Sequence, residues 1–180
     1  MKRYATTALS VLAAMLATAG FAQNVTVDSQ QNRLLLAAVS TMTLQQELDK
    51  AGALGFHPVF GTTRGNGEMV VLLERTLGSS QKYQLHLIAT SATETFQKEI
   101  GEKAVAGFRA VGRTFLNKGG EIVVVMERPV GPSTARPVGY KLLATNQTST
   151  LEKEWISATT EKYVPIGILT RTEVMLLLER

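Results

Sequence analysis

The chain of 180 residues contains no cysteine. That excludes disulfides, zinc–thiolate sites, a Cys nucleophile and a lipidated N-terminal Cys. Core packing must hold the fold without covalent help. Histidine is nearly as scarce, with His57 and His86 alone, and their spacing matches no metal-ligand motif. Neither a Gly-x-Ser-x-Gly elbow nor a phosphate-binding glycine loop occurs. The sequence therefore assigns no catalytic residue, no metal ligand and no cofactor. Lys and Arg are dispersed, with no run of five. The formal charge is +4, but without Lys2 and Arg3, which fall in a leader-like segment, 17 basic residues face 15 acidic ones, a net +2. That balance carries no electrostatic footprint for nucleic acid.

What is present is a globular composition, 44% hydrophobic and 19% charged. The first 22 residues have the layout of a secretory signal peptide. Lys2-Arg3 leads, an Ala- and Leu-rich run follows, and Gly20-Phe21-Ala22 places small residues at positions −3 and −1 of a cleavage site. The apolar run is shorter than the roughly 20 residues of a membrane span and is diluted by Thr and Ser. Cleavage after Ala22 is expected, and a periplasmic or secreted location with it. Residues 23–32 (QNVTVDSQQN) are polar and aperiodic, and read as a tail.

A strand motif then recurs three times. It runs Glu68 to Arg75 (EMVVLLER), Glu121 to Arg128 (EIVVVMER) and Glu173 to Arg180 (EVMLLLER). Its second Glu lies at 74, 127 and 179, spacings of 53 and 52, which marks a tandem array. An amphipathic helix precedes each copy. Its apolar stripe is Leu44, Leu48, Ala51 and Phe56 in the first; Phe96, Ile100, Ala104 and Phe108 in the second; Leu151, Trp155, Ala158 and Tyr163 in the third. Gly55-Phe56 and Gly107-Phe108 end two helices, with Gly suited to a left-handed C′ position. Lys162-Tyr163 stands there in the third, which predicts a different closure. Thr43 with Gln46, Ser91 with Glu94, and Ser149 with Glu152 have capping-box spacing.

Strands are predicted before each helix, at Arg33–Val39, Tyr83–Thr90 and Tyr140–Thr145, and after it, at His57–Thr63, Arg109–Leu116 and Val164–Thr170. Gly65-Asn66-Gly67, Asn117 to Gly120 and Arg171-Thr172 are the hairpin turns. The fold class is α+β: three tandem β-α-β-β repeats with antiparallel hairpins and helices packed on sheet. The repeats span 33–76, 83–128 and 139–180, with a linker at 129–138 that includes the Pro-rich PVGPSTARP. Each motif strand is apolar at five successive positions, so both faces need burial and its own helix covers one. The repeats should share a core, as one continuous sheet or as sheets packed face to face. A leftover apolar face would favour a homo-oligomer.

The repeated charges admit functional and structural readings. Glu47, Glu99 and Glu154 share one helix position and could converge as acid and base, or could be solvated residues inherited by duplication. The Glu-Arg pairs could ring a charged ligand. Adjacent strand residues point to opposite faces, however, so Glu74 and Arg75 are expected to end the strand in solvent, the Arg pairing with a neighbouring repeat. Trp155 is expected in the core. His86 should face away from Tyr83, Leu85 and Leu87.

The repeats resemble a small bacterial domain with an opening strand, a helix ending in Gly plus an aromatic, and a hairpin closing on a basic residue. Gly55-Phe56 with Arg75 and Gly107-Phe108 with Arg128 carry the likeness, and Tyr163 with Arg180 carry part of it. It spans Arg33 to Arg180, implies a compact strand-helix-hairpin fold and no known activity, and transfers no site residues. The leading expectation is an exported non-enzymatic binding or structural module for a protein or envelope partner. The alternatives are a periplasmic hydrolase using the helix carboxylates, or an inhibitor or assembly factor that adds a strand to a partner's edge.

Overall fold

The computed structural model describes residues 28, 30–131 and 138–180. The leader at 1–22, most of the tail and the centre of the linker lie outside the described residues. Among the described residues the order is β1 (Arg33–Ala38), α1 (Thr41–Ala53), β2 (His57–Thr63), β3 (Met69–Glu74), β4 (Tyr83–Thr90), α2 (Thr93–Val105), β5 (Arg109–Ala110), β6 (Leu116–Lys118), β7 (Glu121–Pro129), β8 (Tyr140–Thr145), α3 (Thr148–Thr160), β9 (Val164–Thr170) and β10 (Val174–Glu179).

The fold is α+β, with three separate antiparallel sheets and three helices packed with them. In each sheet the apolar motif strand lies in the middle. The orders are β1-β3-β2, β4-β7-β5 with β6 also on β7, and β8-β10-β9. Registers agree: Arg33 lies opposite Glu74, Leu85 opposite Glu127, and Tyr140 opposite Glu179.

Alternation along the central strands then distributes the core. Met69, Val71 and Leu73 of β3 join α1, and so do Val123 and Val125 of β7 from the next sheet. Ile122, Val124 and Met126 of β7 join α2 on the other face, with Met175 and Leu177 of β10. Leu176 and Leu178 of β10 face α3. So α1 and α2 each lie in a core built from two sheets, whereas α3 shares a core with one. This explains a difference from the sequence expectation. Trp155 is exposed, although Leu48 and Ile100 at the corresponding helix position are fully buried. No second sheet among the described residues covers it.

The predicted strand Arg109–Leu116 is broken. Gly112–Thr114 forms a 3₁₀ turn between β5 and β6. The Thr114 hydroxyl accepts from the Val125 N–H at 2.8 Å and donates to the Val111 carbonyl at 2.7 Å, standing in for a strand partner of β7. The turn also presses on β9. A Cβ on Gly112 would lie 2.0 Å from the Ile166 carbonyl oxygen, so the backbones approach at a distance that glycine permits. Asn117 and Lys118, expected in a turn, belong to β6.

The helix starts differ from the capping-box spacing. Ser40 caps α1, accepting from the Thr43 N–H, while Ala92 and Gln147 begin α2 and α3 without a side-chain cap bond. The helix ends agree with one another. Phe56, Phe108 and Tyr163 donate their N–H to the carbonyls of Ala51, Lys103 and Ala158. Gly55 and Gly107 have φ of 85°, and Lys162 has φ of 67°. The third helix therefore closes like the other two, with a lysine in the left-handed region rather than by another route.

That lysine should cost stability. Lys162→Gly is expected to raise unfolding free energy by about 0.5–1 kcal/mol, and Gly107→Ala, where an added Cβ meets open space apart from Arg128, to lower it by about 1 kcal/mol. Urea denaturation of both variants beside the unaltered chain checks the opposite signs.

Candidate functional site

Several polar residues at recurring positions meet at the junctions between sheets. One such residue is a glutamine on each of the first two helices. The Gln45 side-chain amide donates to the Leu85 carbonyl at 3.0 Å and accepts from the Leu87 N–H at 2.7 Å. Gln97 does the same to β8, donating to the Tyr140 carbonyl at 2.8 Å and accepting from the Leu142 N–H at 2.7 Å. Each amide acts as a one-residue strand against the outer edge of the next sheet, and so blunts that edge. Both glutamines follow the first stripe residue directly, 52 positions apart. That signal was available in the sequence and was missed.

The second Glu of the motif, at 127 and 179, meets a basic side chain of the preceding sheet. Glu127 meets His57 Nδ1 at 3.7 Å, and Glu179 is held by Arg109, which grips both carboxylate oxygens. His57 and Arg109 occupy the same place, directly after the aromatic that follows the helix. Tyr140 completes the second junction: its hydroxyl accepts from the Ala110 N–H at 2.7 Å and donates to Glu179 at 3.2 Å. Burial pushes the Tyr140 hydroxyl well above its ordinary range, so it remains a donor. The hydrogen bond to Glu179 chiefly raises the Arg109 guanidinium. At the first junction the fit is looser. Burial raises the Glu127 carboxyl, opposed by the charges of His57 and Arg109, and its Oε2 has no hydrogen-bond partner.

The Arg of the motif behaves differently from expectation. It points to its own helix rather than to a neighbour. Arg75, Arg128 and Arg180 stack on Phe56, Phe108 and Tyr163 at 4.7, 4.7 and 4.9 Å. Arg75 and Arg128 also donate to the carbonyls of Leu54 and Ala106, the C-terminal caps of α1 and α2, where a cation also suits the helix dipole. The pairing of Gly-aromatic with a basic residue is thus one cation–π clamp, and Glu and Arg do face opposite ways.

The helix carboxylates are not brought together. Glu47 is buried on α1, which raises its carboxyl. Glu99 lines an open groove of about 520 Å³ with Gln45, His86 and Lys103. Glu154 lines another, of about 590 Å³, with Gln97, Leu142 and Ala144. His86 lies on the face away from Leu85, 6.0 Å from the Phe108 ring, and burial and Lys103 lower its tendency to protonate, with Asp49 opposing. Among the described residues no group of three His, Cys, Asp or Glu could hold a metal ion. No helix among them is long and apolar enough to cross a membrane.

Two measurements test this electrostatic account. Glu179 has a side chain 10% exposed, against 49% for Glu74, whose partner is Arg33 at 3.3 Å. Removing a buried charge's partner is costly, and removing a surface one is not. Arg109→Ala should therefore lower stability by about 2 kcal/mol or more in urea titrations, and Arg33→Ala should leave the midpoint nearly unmoved. Second, a carboxyl raised in the folded state holds its proton while the unfolded chain has lost its own. Glu127 therefore detracts from stability as pH rises above the ordinary carboxylate value of 4.5. Glu127→Gln should gain stability relative to the unaltered chain as pH is raised from 4 to 7, read from melting temperatures at each pH.

No protein-family model, no curated protein and no solved structure matches this chain.

Proposed function

We propose that the chain is three stacked copies of one β-α-β-β unit, exported to the periplasm or beyond, and that it serves as a non-enzymatic binding or structural module. One observation supports this most. Recurring polar residues are occupied in joining unit to unit, Gln45 and Gln97 on the next edge strand and the second Glu, at 127 and 179, on a basic side chain of the preceding unit, while the motif Arg closes each unit on its own aromatic. Repetition of these residues is then the signature of stacking, where each unit contacts its neighbours and supplies half of each joint. The carboxylates suggested for hydrolysis lie apart, two of them in separate open grooves, without the paired, poised geometry that acid–base chemistry needs.

The surface left for partners is at the two ends of the stack. There Leu35, Phe60 and Leu72 on the first sheet and Trp155 and Ile156 on α3 are exposed.

Assays of the purified chain on peptide, ester and glycoside substrates should reveal no turnover that depends on these carboxylates. Turnover abolished by Glu47→Gln, Glu99→Gln or Glu154→Gln, in a variant that still melts cooperatively, would overturn the reading in favour of a hydrolase.

A further inference from the structure

The two joints within the molecule are built alike, and its two ends carry the unmatched halves of the same joint. Within the chain, a helix offers Gln45 or Gln97 and a buried aliphatic, Leu48 or Ile100, to the following sheet. That sheet offers the edge of β4 or β8 and the apolar positions Val123 and Val125, or Met175 and Leu177. These four β residues are 0–1% exposed. On the first sheet the counterpart of Val123 and Met175, Val70, is 8% exposed, but Leu72, in the place of Val125 and Leu177, is 44% exposed, and Leu35, in the place of Leu87 and Leu142, 60% exposed. The last helix presents Trp155 in the place of Leu48 and Ile100, with Ile156 beside it, 59% exposed.

The polar groups of the two ends are complementary as well. Glu152 takes the helix position of Gln45 and Gln97. A carboxylate accepts hydrogen bonds but cannot donate as the amide does. At the opposite end the donor is already supplied. Gln31 Nε2 donates to the Arg33 carbonyl at 2.7 Å, the counterpart of the Leu85 and Tyr140 carbonyls. With strand period two, the Leu35 N–H points to that same outer side, where an acceptor alone is required. The Arg33 guanidinium, exposed at the rim of this edge and paired with Glu74, has further N–H donors to meet Glu152. Glu127 and Glu179 of the later sheets each meet a basic side chain of the preceding one, whereas Glu74 is met by Arg33 and the matching position at the other end is the uncharged Val164.

We infer that the occupant of these faces is a second copy of this chain, docked head to tail, with the first sheet of one copy on α3 of the next. It rests on the stacked-unit reading. The contact is heterologous, so an open chain of copies keeps one half-joint free at each end and grows until it closes into a ring or continues as a filament.

Native mass spectrometry and sedimentation of the full purified chain, from micromolar to near-millimolar concentration, test the inference. Species heavier than a dimer should accumulate with concentration. Leu35→Asp and Ile156→Asp should each give monomers, because each removes one half of the joint. Mixed together they should form a one-to-one dimer that grows no further, since one partner retains its α3 face and the other its first-sheet face. Should Leu35→Asp fail to fold, Leu72→Lys replaces it. A chain monomeric at every concentration overturns the proposal but leaves the non-enzymatic reading standing. Dimerisation of Ile156→Asp alone also overturns it, because that outcome means sheet-to-sheet pairing about a two-fold axis.

Discussion

Everything in this structure depends on a central strand that is apolar on both faces. A strand in the middle of a sheet of three or four strands still has two faces to bury, and one helix of 13 residues covers one of them. Full burial of a Val or Leu side chain stabilises by about 1.5–3 kcal/mol, so covering the second face adds substantially to the stability of a sheet this small. In the second and third sheets the chain meets the requirement by lending each face of the central strand to a different core, while the first sheet leaves Leu72 on its second face exposed. In β7, even-numbered residues from Ile122 to Met126 enter one and Val123 with Val125 the other. The sheets therefore stack with helices between them, and the identity of each layer is tied to the next.

Polar groups make that stacking specific. Apolar faces by themselves would tolerate a slip. A glutamine amide that must find one carbonyl and one N–H on the same edge does not, because a slip of one residue turns those groups to the other side of the strand. The buried Glu179, held by Arg109 and Tyr140, sets the same register from the central strand, directly opposite Tyr140. The two junctions differ in quality. His57 with Glu127 leaves one buried carboxylate oxygen without a hydrogen bond, where Arg109 with Glu179 leaves none. Specificity here comes partly from penalties on the wrong pairing rather than from strength of the right one.

Much of the architecture was legible in the sequence because it follows from period alone. Three helices and the outer and central strands came from apolar spacing, and five successive aliphatics announced two-sided burial. The broken strand at Gly112 was not legible, because its cause lies in β9, more than fifty residues away, where Ile166 leaves space for glycine alone. Trp155 was misplaced for a related reason: an apolar stripe states which residues could be covered, and whether a second layer arrives to cover them is a matter of where the chain stops stacking. Lys162 was misjudged because residue type was weighed over geometry, and the closing bond from Tyr163 to Ala158 holds the turn without glycine. The junction charges were the hardest to see. Arg109 and His57 are different residues in one role, and nothing in either residue alone points to a glutamate seventy positions on.

The unequal covering of the helices also sets how the molecule breathes. Five residues of α1 are buried, three of α2, and Ala158 alone of α3 among its described side chains. Local opening free energy follows such burial, so amide protons should exchange slowest around α1 and β7 and fastest in α3. Opening of the last helix alone would break the fewest buried side-chain contacts of the three. Any contact that covers α3 would then lengthen its protected lifetime, and the chain would report occupancy of its far end as a local change in hydrogen exchange.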